Sequence, residues 1–189
     1  MPSPEIYSPA EDSFFLSDIL KKIIPEMSKK NKNKNLKFLE IGCGSGIQLQ
    51  TAMEAGVKKE NILGADINDN AVKHCKKLGF NSVYSNLFQN IKGNYDLIIF
   101  NPPYLPDDKR EPKSSKLATT GGKKGGEIIN KFLKQAKGYL NKEGKIILII
   151  SSLTKGMNFS GYNVKILGIK KIFFEELKII ELTPFFEVF

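Results

Sequence analysis

The sequence predicts an α/β protein with a mostly parallel seven-stranded sheet and an antiparallel C-terminal hairpin strand. Three observations predict it. Short apolar runs alternate with segments of helical periodicity, the pattern of right-handed βαβ units. A glycine-rich turn, Gly42-Cys43-Gly44-Ser45-Gly46, separates the first apolar run from the helix after it. Two strand-like runs close the chain with no helix between them, so a hairpin adds an antiparallel strand near one edge. No internal repeat and no second domain is expected. Residues 1–189 read as one unit, with 1–35 as an N-terminal helix and a Lys/Asn-rich linker.

Each element has its own signal. Ser8 and Glu11 have capping-box spacing with Pro9 at the first helical position, so a helix is expected over 9–24. Phe15, Leu16, Ile19, Leu20 and Ile23 follow helical spacing, Phe14 and Phe15 are expected in the core, and Pro25 is expected to end the helix. The first strand is 36–41, followed by the glycine turn and a helix over 47–55 closed by Gly56. Residues 61–66 form the second strand, and Asp69 caps a helix that stops at Gly79. Short runs at 82–85 and 95–100 are the third and fourth strands. A polar loop, 102–126, is too long to be a mere connector. A helix over 127–140 carries Ile128, Ile129, Phe132, Leu133, Ala136 and Leu140 on one face, and 145–150 is the fifth strand. The segment 151–161 has room for a turn or one helical turn, which leaves part of one sheet face thinly covered; 164–172 and 176–182 make the hairpin.

Composition narrows the function classes. A chain of 189 residues with 41% hydrophobic content is long and apolar enough for a sizeable core. It has no apolar run of membrane-spanning length and no N-terminal secretory pattern. Two cysteines, Cys43 and Cys75, make no disulfide framework and no CxxC pair, so a reduced, cytoplasmic setting and no structural zinc are expected. The net charge of +9 fits a nucleic acid, an acidic protein partner or simple solubility, and part of it sits in the linker at 29–35.

The chemistry gathers at three strand ends. Glu40 ends the first strand just before the glycine turn, whose bare backbone lets a ligand approach closely. Asp66 ends the second strand, 24 positions after Gly42, where a carboxylate can accept both hydroxyls of a ribose. The fourth strand stops at Asn101-Pro102-Pro103-Tyr104, because two prolines lack the N–H groups a ladder needs. The turn lacks dinucleotide spacing and a phosphate-binding lysine. Glu40 repels a pyrophosphate and suits a cationic amino-acid group, so S-adenosylmethionine is the nucleoside cofactor that fits. His74 and Cys75 read as a surface or core pair, and Cys43 as a small residue that fits its turn. Gly121-Gly122-Lys123-Lys124-Gly125-Gly126 reads as a mobile substrate-side loop, with an anion nest as the other reading.

Five segments together resemble the HemK family, the glutamine methyltransferases of class-1 release factors. They are Tyr7-x-Pro9-Ala10-Glu11-Asp12-Ser13, Glu40-Ile41-Gly42-x-Gly44-Ser45-Gly46, Asp66, Asn101-Pro102-Pro103-Tyr104 and Gly121-Gly122…Gly125-x-Glu127. The order matches across nearly the whole chain. With only 35 residues before Leu36, the short archaeal and eukaryotic branch is expected, without a separate N-terminal helical domain. The resemblance implies a Rossmann-like, S-adenosylmethionine-dependent methyltransferase fold. It implies a cofactor held by Ser13, Glu40, Gly42, Gly44 and Gly46, by Asp66 and Ile67 at the ribose, and by Asn86 and Leu87 at the adenine. The family usually has aspartate at position 86; Asn86 accepts a hydrogen bond there without charge. Asn101, Pro102 and Tyr104 form the methyl-acceptor corner, with Asn101 also beside the cofactor. The resemblance implies a class-1 release factor as protein substrate, and a small zinc-binding activator subunit pairing near Ser82-Val83-Tyr84.

Three rival functions share these residues. A nucleic-acid methyltransferase would present an adenine or guanine exocyclic amine to the same corner, with Tyr104 stacked on a flipped base; the chain has no separate reader domain for it. A protein lysine is another acceptor. A non-catalytic partner subunit is the third, and intact Glu40, Asp66 and Asn101 argue against it.

Overall fold

A computed structural model describes residues 6–30, 35–107, 119–172 and 174–185. The linker positions 31–34 and the middle of the long loop, 108–118, lie outside them. The elements run α1 (Glu11–Lys30), β1 (Phe38–Ile41), α2 (Ile47–Glu54), β2 (Ile62–Asp66), α3 (Asp69–Lys77), β3 (Asn81–Tyr84) and β4 (Tyr95–Phe100). Then come β5 (Leu105–Pro106), β6 (Thr120–Gly122), α4 (Glu127–Ala136), β7 (Leu140–Ser151), β8 (Tyr162–Ile172) and β9 (Glu175–Pro184). The seven-stranded sheet has the order β3-β2-β1-β4-β7-β9-β8. Strands β1 to β4 and β7 pair in parallel, and β9 runs antiparallel to both β7 and β8. The expected sheet and hairpin are thus present, with the single antiparallel strand one place inside the edge. None of the described helices is long and apolar enough to cross a membrane.

The parallel strands are buried on both faces, which is why they read as near-continuous apolar runs. One face packs Leu16, Leu20 and Ile24 of α1 and Leu49 and Ala52 of α2 against Phe38, Leu97, Ile99 and Ile147. The other packs Ile129, Phe132, Leu133 and Ala136 of α4 against Leu39, Ile98, Phe100 and Leu148. Phe132 links this face to the site, its ring centroid lying 4.8 Å from that of Phe100 and 5.4 Å from that of Phe88.

The helix ends differ from the sequence reading for definable reasons. Pro25 lies inside α1 instead of ending it. The proline denies a hydrogen bond to the Lys21 carbonyl, a cost of about 3 kcal/mol in a helix interior. Lys21 lies on the exposed face of the helix, while Ile24 is fully buried and Met27 packs on the same core; burying one such side chain returns about 1.5–3 kcal/mol. The helix starts at Glu11, and the Ala10 N–H donates to the Ser13 hydroxyl at 3.4 Å. Ser13 therefore takes the reach-back role expected of Glu11. Phe14, expected in the core, is 54% exposed, because the buried stripe runs through Asp12, Leu16, Ile19 and Leu20 on the other side of the helix. Asn68, not Asp69, caps α3 by accepting from the Asn70 N–H at 3.0 Å.

Part of the long loop pairs into a parallel β5–β6 ribbon that the sequence did not suggest. The connection from β7 to β8 holds no helix, as its length requires. Val164, Ile166 and Ile169 on β8 are consequently about half exposed.

Phe132→Ala should destabilise the fold by about 3–5 kcal/mol, the usual cost of emptying a fully buried aromatic site. Denaturant unfolding measures it; a loss under ~1 kcal/mol would mean that α4 does not hold this face.

Candidate active site

β1 sits between β2 and β4, where the strand order reverses, and the C-terminal ends of all three open into one cavity of about 590 Å³. Ser13, Glu40, Gly42, Gly44, Asp66, Ile67, Asn86, Leu87, Asn101, Pro102 and Tyr104 all line it. Gly46 does not. It heads α2 at φ 77°, and a Cβ there would come 3.2 Å from Cys75 Sγ and Leu78 Cδ1. Its smallness lets α2 close on α3, so it serves packing behind the cavity wall.

The turn after β1 hangs on β2. The Gly42 and Cys43 N–H groups both donate to the Ala65 carbonyl, at 2.7 and 3.0 Å. Asp66 Oδ2 accepts from the Gly44 N–H and Oδ1 from the Asn68 N–H, each at 2.8 Å. The Ile67 N–H is a third backbone donor to the same carboxylate. Burial pushes the Asp66 carboxyl up from its ordinary range, while the Asn68, Gly44 and Ile67 N–H groups pull it down. Burial also pushes Glu40 well above the glutamate range; Cys75 and Asp66 add to this, and the Leu49 N–H opposes it.

Among the described residues two buried side-chain oxygens lack a hydrogen-bond partner, Glu40 Oε2 and Asn101 Oδ1. Such atoms are costly in a fold unless a ligand uses them. One is a carboxylate oxygen, suited to a cation. The other is an amide oxygen, suited to an N–H donor.

Asn86 and Leu87 sit in a tight turn. Leu87 has φ 52°, an uncommon conformation for a leucine. The Ser85 hydroxyl holds it by donating to the Leu87 carbonyl at 2.7 Å while accepting from the Asn90 N–H at 3.0 Å.

The opposite wall comes from α1 and the loops. Asn101 Nδ2 donates to Asp12 Oδ2 at 2.8 Å, and Tyr7 donates its hydroxyl to Asp12 Oδ1 at 3.2 Å. Burial, with help from Asp12, pushes the Tyr7 hydroxyl up to about 12, so it stays a donor at neutral pH. Burial and the charges of Asp12 and Glu175 push Tyr104 up as well. Gln48 fixes this wall to α2 by donating to the Ser13 carbonyl at 2.7 Å and accepting from the Ser17 hydroxyl at 2.9 Å.

The glycine segment after the long loop is a buttress, where a mobile loop was expected. A Cβ on Gly121 would collide with the Pro103 and Gly125 carbonyl oxygens, and one on Gly125 with the Tyr104 carbonyl. The Thr154 hydroxyl donates to that Tyr104 carbonyl at 2.9 Å. The anion nest is also filled from within: the Lys124 N–H meets both oxygens of Glu127, at 3.0 and 3.2 Å.

Sequence reasoning missed Tyr7, Asp12, Gln48 and Glu175 as cavity residues. Tyr7 and Asp12 belong to a motif that was recognised, and that was their available signal. Gln48 and Glu175 had none. Cys75 is buried behind the turn with its sulfur 3.6 Å from that of Cys43.

Comparison with known proteins gives concordant results. The family model described as the methyltransferase small domain matches residues 17–180. A Methanocaldococcus jannaschii chain with the provisional name protein N5-glutamine methyltransferase is 39% identical, over 94% of this chain and 91% of its own length. The catalytic subunit of the eRF1 methyltransferase of Schizosaccharomyces pombe is 29% identical, over 80% of this chain and 74% of its own. Among solved structures, the E. cuniculi Mtq2–Trm112 complex, responsible for methylation of the eRF1 translation termination factor, matches with a TM-score of 0.70 at 24% identity. That likeness covers 94% of this chain and 98% of the other.

The raised carboxyl of Glu40 has a signed consequence. A carboxyl whose folded pKa is raised gives stability that is complete below its unfolded value, about 4.3, and is lost as pH rises through the folded value. Glu40→Gln should therefore melt with a weaker dependence on pH above the ordinary glutamate range than the parent, both without cofactor. An unchanged slope in thermal melts would assign the proton to another group.

Proposed function

The chain belongs to the methyltransferase small domain family, among the protein N5-glutamine methyltransferases, and on that premise we propose that it methylates the glutamine side chain of the Gly-Gly-Gln motif of a class-1 release factor. The observation that carries the acceptor is the buried, unpartnered Oδ1 of Asn101, an atom that asks for an N–H donor. The orphaned Oε2 of Glu40 asks for a cation in the same cavity. Those two demands match an amide acceptor and S-adenosylmethionine.

When bound, that cofactor supplies an electrophilic methyl on a sulfonium. Glu40 would hold its ammonium, with the backbone of Gly42 and Gly44 beside the methionine part. Asp66, already oriented by backbone N–H groups, would accept from the ribose, next to Ile67. Asn86 would accept from the adenine amine, with Leu87 against the ring and Ser13 closing the near side. Gly46 acts only through packing.

A primary amide nitrogen is a weak nucleophile, since its lone pair is delocalised, so positioning matters more than a base. Asn101 Oδ1 and the Pro102 carbonyl would each accept one N–H of the glutamine amide and aim its nitrogen at the methyl group. Tyr104 packs against the flat amide. Once it carries the methyl group the nitrogen is cationic and releases its extra proton to solvent water, so no histidine is required. The acceptor side carries two carboxylates, Asp12 and Glu175, which would repel a phosphodiester in spite of the overall +9 charge.

A small activator subunit, which the resemblance makes a zinc-binding one, fits the β3 edge. β3 terminates the sheet and exposes Tyr84 to 51%, and an uncovered strand edge is a ready pairing surface.

Two measurements test this reading. Radiolabelled methyl transfer should occur to a release factor with Gly-Gly-Gln and vanish with Gly-Gly-Ala. Asn101→Ala should lower kcat by about 10²–10³ while cofactor binding, followed by calorimetry, is kept. Transfer to both release factors alike would sink the glutamine assignment in favour of lysine, the acceptor that Asp12 and Glu175 would attract by charge. For the partner, Tyr84→Glu is expected to weaken the complex about tenfold or more in a pull-down titration; an unchanged affinity moves the interface elsewhere.

A further inference from the structure

Asn101 can serve as an acceptor only if its amide faces the right way. An asparagine side chain is nearly symmetric in shape, so packing alone does not choose between its oxygen and its nitrogen. Turned over, the group would present N–H to an incoming N–H and repel it. Something must therefore fix the amide.

Asp12 does so by chemistry that admits one answer. Its Oδ1 is committed, accepting from the Ser13 N–H at 2.7 Å, the Ser13 hydroxyl at 3.2 Å and the Tyr7 hydroxyl at 3.2 Å. Its Oδ2 faces Asn101 Nδ2 at 2.8 Å. An ionised carboxylate only accepts, so it holds the Asn101 nitrogen and turns Oδ1 inward. Asp12 is 5% exposed, which keeps water from competing for the bond. The residue lies 89 positions from Asn101 and arrives on the first turn of α1. We propose that Asp12 is the positioning residue that sets the orientation of the Asn101 amide, so that the acceptor corner is completed by the N-terminus of α1. This deepens the methyl-transfer reading given above and rests on it.

Isosteric exchange tests it. In Asp12→Asn the three donors at the Oδ1 position retain the oxygen, and the new NH₂ faces Asn101. Two NH₂ groups cannot face each other, so the Asn101 amide turns over. Turnover should fall about a hundredfold, with KM for the release factor and cofactor binding little changed. Asn101→Asp alone sets two carboxylates face to face and should lose activity too. Combined, Asp12→Asn with Asn101→Asp restores a donor facing an acceptor and again turns an oxygen inward. The double variant should recover at least about tenfold over Asp12→Asn, a non-additivity expected only of a directly coupled pair.

Side-chain amide exchange by NMR reads the orientation without turnover. The Nδ2 protons of Asn101 should be protected in the parent and exchange faster in Asp12→Asn. Parent-like turnover in Asp12→Asn overturns the inference, and so does loss without recovery in the double variant. If the parent methylates no release factor, the acceptor reading has failed instead. Amide exchange then decides alone: protection lost in Asp12→Asn upholds the positioning role, and equal protection overturns it.

Discussion

Pro102 and Pro103 have no N–H to give to a neighbouring strand. The ladder between β4 and β7 therefore stops at the Phe100–Leu148 pair, and the backbone must leave the sheet at Asn101. A chain that turns out so abruptly needs support. Gly121 and Gly125 approach the Pro103 and Tyr104 carbonyls more closely than any side chain would permit, and Thr154 adds a hydrogen bond. Behind the turn, Phe100 rests on Phe132 and Phe88 rests on the same ring. The acceptor corner is held largely by backbone atoms and not by flexible side chains.

The cavity stores unfavourable electrostatics that the sheet pins in place. Glu40 is buried with one oxygen unsatisfied, and Asp66 is half-buried nearby with its charge partly answered by backbone N–H groups. Left to itself a chain would avoid this arrangement. It persists because Glu40 lies on a central strand that is paired on both sides, opposite Gly64 and Ile99. A ligand that brings a cation relieves what the fold cannot.

The strands of the main sheet and the polar strand ends of the cavity were legible in the sequence, since apolar runs ending at Glu40, Asp66 and Asn101 mark where the polar groups gather. Errors arose where tertiary contacts outweighed local preference. Pro25 has the local signature of a terminator, but buried Ile24 and partly buried Met27 pack on the core on either side of it. Glycines at 121 to 126 suggested motion, yet at Gly121 and Gly125 the lack of a Cβ lets backbones touch. Gly46 stood in the right motif but faces α3. Asp12 was hidden for another reason: its partner lies 89 residues away, and no local pattern reports such a pair.

The place of β9 in the sheet has a consequence for how the chain is made. Among the described residues β8 pairs only with β9, which follows it in the chain. Until it emerges β8 has nothing to pair with, so the sheet gains two strands in one late event. Glu175, which lines the cavity, arrives at the start of that same strand. A nascent chain that has not yet presented β9 is thus missing two of the seven sheet strands and one wall residue at once. The cavity wall and the outer sheet are completed by the same strand, in one step.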